Sequence, residues 1–184
     1  MPYTIIDLQQ GTPEWLAWRR QGIGASDAPT IMGENPWKSA DDLLQEKCGG
    51  ETFSPSAAMA RGNALEPEAR KRYEIKAGVS FTPACLQSVK QEWLRTSVDG
   101  MAANGSAVVE IKCGERVYRK VAATGDVPGY YYGQLQHILA VTHLQSIDFY
   151  CYLPGRPELH LQVARNERYI GRLLETEYLF WQKL

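Results

Sequence analysis

An Asn-Gly pair at Asn104 and Gly105 is the feature that most constrains how this chain folds. It lies between two segments in which polar and apolar residues alternate, RTSVDGMAA and SAVVEIKC. Asn-Gly is the strongest short-range signal for a two-residue type I′ turn, because both residues tolerate positive φ angles. We therefore predict a β-hairpin over residues 95–113.

This turn fixes the pairing of the two strands. With Ala103 and Ser106 flanking the turn, Asp99 lies opposite Glu110. Side chains alternate between the faces of a strand, so one face of the hairpin is predicted to be wholly apolar: Val98, Gly100, Ala102, Ala107, Val109 and Ile111. The other face carries Asp99, Glu110 and Lys112. The register that buries the apolar face thus also brings two carboxylates together.

Two facing carboxylates require a positive partner. At a separation of about 5 Å and an effective dielectric near 20, they repel by roughly 3 kcal/mol, more than the ~0.2–1 kcal/mol that a favourable cross-strand pair supplies. Lys112 alone could neutralise them in a surface cluster. The functional alternative is a hard divalent cation such as Mg²⁺, which takes oxygen ligands from one or two carboxylates and keeps waters for a phosphate substrate. Geometry alone leaves both alternatives open.

Length and composition limit the class of protein. The 184 residues, 44% of them hydrophobic, suffice for a sizeable core, and we predict a single domain over residues 1–184. The net charge of −1 excludes a protein that coats nucleic acid by bulk charge, so DNA contacts must come from a local basic patch or a metal. Four scattered cysteines without a CxxC motif predict free thiols. Without a leader or a membrane-spanning stretch, we expect a soluble cytoplasmic protein with no membrane partner.

Hydrophobic periodicity predicts an α/β fold in which helices flank a mixed central sheet. Thr12 and Asn166 are expected to cap the first and last helices. The predicted elements are a strand at 3–8, helices at 13–21, 40–48 and 56–76, a strand at 79–87, the hairpin, a helix at 130–144, strands at 146–153 and 159–163, and the terminal helix.

The segment GIGASDAP, residues 22–29, is a candidate anion site. It is a glycine-flexible turn that opens onto a helix capped by Ser26 or Asp27, and exposed N–H groups at a helix N-terminus attract anions. Arg19 could complete the site with a positive charge. The alternative is ordinary capping beside a solvated arginine.

Two further segments are candidates for the site. Residues 114–129 are interpreted as a polar loop whose basic residues are either solvated or face DNA: Arg116, Arg119 and Lys120. In the helix at 56–76, Pro67 predicts a kink or a fresh start, and Glu66 forms an i,i+4 pair with Arg70.

The hairpin pattern D-(x)10-E-x-K resembles the core of the PD-(D/E)xK nucleases, with Val98 in place of the usual proline. Five motifs together are similar to the lambda-type exonuclease and YqaJ-like viral recombinase family. In chain order they are W-x(3)-R-x(6)-S-D, RGNALEPEARKRYE, SVDGM, EIKC and YYGQLQHILAVT. The match runs from about Trp15 to Leu153, which is most of the chain.

The resemblance implies a restriction-endonuclease-like core and a role for each matching residue. Asp99 and Glu110, with the backbone carbonyl of Ile111, would bind Mg²⁺ or Mn²⁺, and Glu66 would approach the same cluster. Lys112 would orient the attacking water. Gln134 would position the nucleophile or the lysine. Arg19 and Ser26 would hold a terminal 5′-phosphate.

The activity implied by the resemblance is Mg²⁺-dependent hydrolysis of duplex DNA from a 5′ end, in phage-type recombination inside a bacterial host. A single-strand annealing protein and a homo-oligomeric ring are implied as partners. Two alternatives remain: a DNA endonuclease on the same core, and a non-catalytic DNA-binding recombination scaffold.

Overall fold

A computed structural model describes residues 1–49 and 57–184, which form a seven-stranded mixed sheet with helices on both faces. This confirms the predicted α/β class. The strands are β1 (Tyr3–Ile6), β2 (Ile23–Gly24), β3 (Phe81–Ser88), β4 (Leu94–Ala102), β5 (Val108–Lys112), β6 (Ser146–Cys151) and β7 (Leu159–Ala164). The helices are α1 (Pro13–Arg20), α2 (Ala28–Ile31), α3 (Ala40–Gly49), α4 (Ala57–Ala77), α5 (Glu115–Thr124), α6 (Gly129–Thr142) and α7 (Glu167–Trp181), and a 3₁₀ turn (Ala25–Asp27) precedes α2.

Strand β5 lies inside the sheet. The strand order is β1-β3-β4-β5-β6-β7, and β2 pairs in parallel with β4. Strand β5 is antiparallel to β4 and parallel to β6. A parallel pair requires a crossover connection, and here the crossover consists of α5 and α6. The candidate site on β5 is therefore supported from both sides.

Each face of the sheet has its own core. On one face α4 packs through Ala69 and Tyr73 against Phe81, Val109 and Ile111. On the other face α6 packs against Val98, Met101 and Val108. All residues from 133 to 142 of α6 are buried, which is more than the single apolar stripe that the sequence predicts. Fully burying one large apolar side chain contributes about 1.5–3 kcal/mol, so α6 anchors the fold.

The hairpin has the predicted register but a longer turn. Gly100 pairs with Val109 and Met101 with Val108, as expected. Within the turn, Gly105 has a positive φ angle of 69° but Asn104 does not. A type I′ turn needs positive φ at both central residues, so the turn is not type I′. The connection is a four-residue loop from 103 to 106, because the Ala102 N–H bonds the Ala107 carbonyl at its base. Lengthening the loop by one residue on each side leaves the register unchanged.

The prediction that Val98 shares a face with Gly100 and Ala102 is wrong. Thr82 pairs with Met101 but Ala84 pairs with Val98, so Asp99 and Gly100 together lie opposite Pro83. This two-against-one pairing is a β-bulge, which reverses the alternation of side chains. Val98 consequently packs in the α6 core, on the face opposite Ala102.

Two other predictions on secondary structure need correction. The segment 114–129 is not a loop, because residues 115–124 form α5, whose Val117, Tyr118 and Val121 are buried. Helix α4 is one continuous helix that contains Pro67, so the predicted fresh start near Pro67 is wrong, and the alternative of a kink stays a prediction. The predicted start at Ser56 lies outside the described residues. Proline lacks an N–H, so the carbonyl of Asn63 loses its helical partner.

The helix caps predicted at Thr12 and Asn166 are confirmed. Thr12 accepts a hydrogen bond from the Trp15 N–H, and Asn166 accepts one from the Tyr169 N–H. All four cysteines are free. Among the described residues, none of the helices is both long and apolar enough to cross a membrane.

Candidate active site

The Asp99 carboxylate contacts the neighbouring strand. Its Oδ2 accepts a hydrogen bond from the Ile111 N–H at 2.7 Å. This contact lies just beyond the pair formed by Gly100 of β4 and Val109 of β5. The bulge at Asp99 and Gly100 directs this side chain toward β5. Burial, and after it the nearby Glu110 carboxylate, raises the pKa of Asp99 well above its usual range. The two carboxylates predicted to meet therefore do so.

Glu110 is almost fully buried, with 3% of its surface exposed. Its Oε1 accepts hydrogen bonds from Lys112 Nζ at 2.5 Å and from Gln134 Nε2 at 2.6 Å. Its Oε2 is buried and has no hydrogen-bond partner among the residues that the structure describes. A buried carboxylate oxygen without a partner is costly, so Glu110 retains an acceptor for a further positive group.

Glu66 belongs to the same cluster through α4. It forms an ion pair with Arg70, as the sequence predicts, and Arg70 Nε also donates to the Asp99 carbonyl at 2.6 Å. Burial raises the pKa of Glu66 although Arg70 opposes the shift, and Glu110 adds to it. The i,i+4 pair thus attaches α4 to the bulge of β4.

Lys112 is both paired and stacked. Its Nζ lies 4.6 Å from the centre of the Tyr131 ring, in addition to its ion pair with Glu110. Burial alone would lower the pKa of Lys112, but Glu110, Tyr131 and Asp99 together outweigh burial and raise it. Lys112 is therefore a fixed positive charge. The alternative in which it alone neutralises the carboxylates stays open, although Glu110 Oε2 still lacks a partner.

Arg19 and Ser26 meet across one side of a cleft of about 680 Å³. Arg19 Nη2 lies 2.6 Å from Ser26 Oγ, and its guanidinium lies over the Trp15 ring. Trp15 in turn donates from Nε1 to Ser97 Oγ on β4 at 2.8 Å. The same cleft is lined by Asp99, Glu110 and Gln134. Residues far apart in sequence thus form one continuous surface.

The Asp27 side chain caps the 3₁₀ turn that precedes α2 and does not cap α2 itself. Helix α2 is a single turn whose N-cap, Asp27, makes no side-chain capping bond. Asp27 instead accepts from the Gly24 N–H at 3.0 Å and pairs with Lys47 at 2.8 Å. Burial would raise the pKa of Asp27, but Lys47 and Arg19 outweigh it and hold the pKa below its usual range. What remains of the predicted anion site is therefore the Arg19 guanidinium beside Ser26, and anion binding there stays a prediction.

The basic residues predicted to face DNA are arranged along α5. The Arg116 guanidinium lies 4.7 Å from the centre of the Trp37 ring, and Trp37 lines the cleft. Arg119 pairs with Glu115 on the exposed face of the helix, and Lys120 is exposed. The structure therefore brings Arg116 to the cleft by way of Trp37, and DNA contacts of Arg119 and Lys120 stay predictions.

The donor set suits a hard cation. Asp99 and Glu110 offer carboxylate oxygens, and one of these is buried without a partner. Among the described residues no group of three or more His, Cys, Asp or Glu side chains converges as a metal site, so a bound ion would retain waters, as Mg²⁺ commonly does. Asp99 and Glu110 are the residues that could hold it.

Some residues of the site were not predicted from the sequence. Arg70 was recognised as a partner of Glu66, but its bond to the Asp99 carbonyl depends on how α4 packs on the sheet. Tyr131 is the first residue of the motif YYGQLQHILAVT, which assigns no role to its ring. Neither the stacking of Lys112 on Tyr131 nor the pairing of Asp27 with Lys47 has a signal in local sequence spacing.

Two carboxylates and a lysine on a hairpin inside a mixed sheet define a fold of the PD-(D/E)xK nuclease class. More narrowly, the chain belongs to the YqaJ-like viral recombinase domain family, whose model matches residues 14–145. It is 30% identical over 174 residues to the Bacillus subtilis (strain 168) protein YqaJ, covering 91% of this chain and 54% of that protein. The chain thus spans about half the length of this relative.

Solved structures resemble the chain over most of its length. The alkaline exonuclease LHK-Exo from Laribacter hongkongensis is 27% identical with a TM-score of 0.80, covering 94% of this chain and 92% of that one. LHK-Exo in complex with dAMP is 26% identical over the same shares, with a TM-score of 0.81. A phage related exonuclease from Haemophilus somnus 129PT shares the fold at 13% identity, with a TM-score of 0.64 and coverage of 88% and 92%.

Proposed function

We propose that this chain is a metal-dependent DNA exonuclease that degrades duplex DNA from a 5′ end during phage-type recombination in a bacterial cytoplasm. The observation that carries the proposal is the continuity of the cleft, which joins Asp99 and Glu110 to Arg19 and Ser26. A centre for phosphodiester hydrolysis and a binding site for a terminal phosphate would then lie within one substrate-sized surface. The exonuclease LHK-Exo, similar over nearly the whole chain, supports the assignment.

In this proposal Asp99 and Glu110 hold Mg²⁺ or Mn²⁺, with the Ile111 carbonyl and Glu66 as further ligands, direct or through water. When bound, such an ion lowers the pKa of a water molecule and stabilises negative charge on the phosphate. Gln134 fixes the orientation of Glu110 through the hydrogen bond to Oε1.

Lys112 and Arg19 act on the substrate itself. Lys112, held between Glu110 and the Tyr131 ring, orients the attacking water and offsets charge on the phosphate. Arg19 and Ser26 hold the 5′-phosphate through charge-assisted hydrogen bonds, which are the strongest class. A single-strand annealing protein would take up the exposed tail, and assembly of a ring around duplex DNA would complete the enzyme.

The test is digestion of linear and covalently closed duplex DNA with Mg²⁺ or Mn²⁺, comparing wild type with Asp99→Ala. We expect metal-dependent loss of linear DNA only, release of mononucleotides, and no cleavage by the variant, whose unfolding transition should remain cooperative. Cleavage of closed circles would instead indicate the endonuclease. Absence of cleavage with either metal, with DNA binding retained, would indicate the non-catalytic scaffold, the alternative that fits neutralisation of Glu110 by Lys112.

A further inference from the structure

We propose that Trp37, together with Arg116 and Tyr130, forms a stacking platform for an unpaired nucleobase of the DNA. The proposal rests on the proposed nuclease function and adds a second kind of substrate contact to the same cleft. Trp37 lies in the connection between α2 and α3 and lines the cleft that contains Asp99 and Glu110. None of the site motifs in the sequence includes it.

A continuous chain of ring contacts joins Trp37 to the reactive residues. The Trp37 and Tyr130 ring centres are 4.8 Å apart, and those of Tyr130 and Tyr131 are also 4.8 Å apart. Tyr131 is the ring under Lys112. On the outer side, the Arg116 guanidinium lies over Trp37. The platform is therefore connected to Lys112 through two ring contacts, Trp37 with Tyr130 and Tyr130 with Tyr131.

Trp37 remains accessible despite these contacts. Trp37 is 57% exposed, which is more than any other tryptophan among the described residues. Exposing so much of an indole ring to water is unfavourable unless a partner covers it. Aromatic rings beside arginine are what proteins use to stack unpaired bases, because every base has a π-face and every nucleotide a phosphate.

The loop that carries Trp37 is held in place. The backbone N–H of Trp37 donates to Asn35 Oδ1 at 2.9 Å, and Asn35 Nδ2 donates to Thr30 Oγ1 at 2.8 Å. Glu34 accepts from the Tyr169 hydroxyl at 2.8 Å. Binding to a fixed aromatic side chain loses little conformational entropy, so the platform is ready for its ligand without rearrangement.

The test measures binding of DNA ends in which one base is missing. Duplexes with a single abasic residue at each of the first three positions of either strand are titrated in Ca²⁺, and a denaturing gel checks that the DNA stays intact. Wild type should bind one abasic end about 5- to 150-fold more weakly than the intact end, the range expected for one stacked base. In Trp37→Leu that ratio should fall to about one, and Trp37→Phe should restore part of it.

Matched variants separate stacking from charge and from folding. Arg116→Gln should weaken the preference for the intact end, whereas Arg172→Gln removes an arginine stacked on Tyr169 outside the cleft and should not. Tyr178→Leu removes another exposed aromatic ring, 48% exposed on α7, and should leave the ratio unchanged. An equal abasic penalty in wild type and Trp37→Leu would overturn the platform even if cleavage proceeds. A penalty lost only in the Trp37 and Arg116 variants would support it even if the protein does not cleave DNA.

Discussion

The charge of Asp99 is unfavourable in the folded protein when no metal is bound. Its pKa is raised above the ordinary 3.8 by burial and by Glu110, so the folded chain binds this proton more tightly than the unfolded chain does. The free energy of unfolding therefore falls as the pH rises through the window between 3.8 and the raised value, and it stays lowered above that window.

We accordingly expect Asp99→Asn to stabilise the protein in EDTA at pH 8, because the amide removes this penalty. The gain should be at least about 2–4 °C in Tm, the shift that 1 kcal/mol produces in a chain of this size. It should shrink as the pH is lowered toward 4. Thermal unfolding monitored by circular dichroism measures this gain in Tm, with Asp126→Asn as a control for net charge. A variant less stable than wild type at pH 8 would contradict the electrostatic account.

Arg19 gives a second prediction at the scale of one residue. Arg19→Ala removes the guanidinium bonded to Ser26. Hydrogen bonds to charged groups are worth about 1.5–3 kcal/mol, so the preference for 5′-phosphorylated over 5′-hydroxyl ends should fall by about tenfold or more. Initial digestion rates of the two ends give the ratio, with Arg156→Ala, an exposed arginine of the β6–β7 turn, as control. An unchanged ratio would contradict phosphate binding by Arg19.

At the scale of elements, the bulge of β4 is the feature on which the site depends. A Cβ added to Gly100 would lie 2.9 Å from Val109 Cγ1 and 3.0 Å from Phe81 Cβ. We expect Gly100→Ala to lower the free energy of unfolding by about 1–3 kcal/mol, as overpacking does, and to reduce cleavage because Asp99 shifts with the bulge.

Urea unfolding and digestion of linear DNA test this expectation together. The matched control is Gly62→Ala on α4, where an added Cβ meets nothing within 4 Å. That substitution should stabilise the helix by about 0.5–1 kcal/mol and leave cleavage unchanged. Equal stability of the two variants would show that Gly100 is not tightly packed.

The sequence predicts what depends on local periodicity and misses what depends on neighbouring strands. The hairpin register follows from its own alternation and turn residues, so the meeting of Asp99 and Glu110 could be foreseen. The side on which Val98 packs could not, because it depends on the bulge opposite Pro83 of the neighbouring strand β3. Likewise the sequence predicts a loop where α5 forms, since the buried Val117 and Val121 are spaced among charged residues.

For the whole molecule, metal binding should appear as stability. A ligand that binds only the folded state at a hundredfold excess over its Kd adds about 2.7 kcal/mol, which corresponds to about 5–10 °C in Tm. We expect Mg²⁺ or Mn²⁺ to produce such a shift in wild type and none in Asp99→Ala. Differential scanning fluorimetry measures both. No shift with either metal in wild type would favour neutralisation of the carboxylates by Lys112 alone.

The position of β5 between an antiparallel and a parallel neighbour affects how the site forms during synthesis. A chain translated as far as Lys112 already contains Glu66, Asp99 and Glu110, but it lacks α6 and the parallel partner β6. Gln134, which bonds Glu110, comes from α6. A nascent chain therefore carries its carboxylates on a strand exposed along one edge, and the arrangement seen here can form only after β6 has left the ribosome.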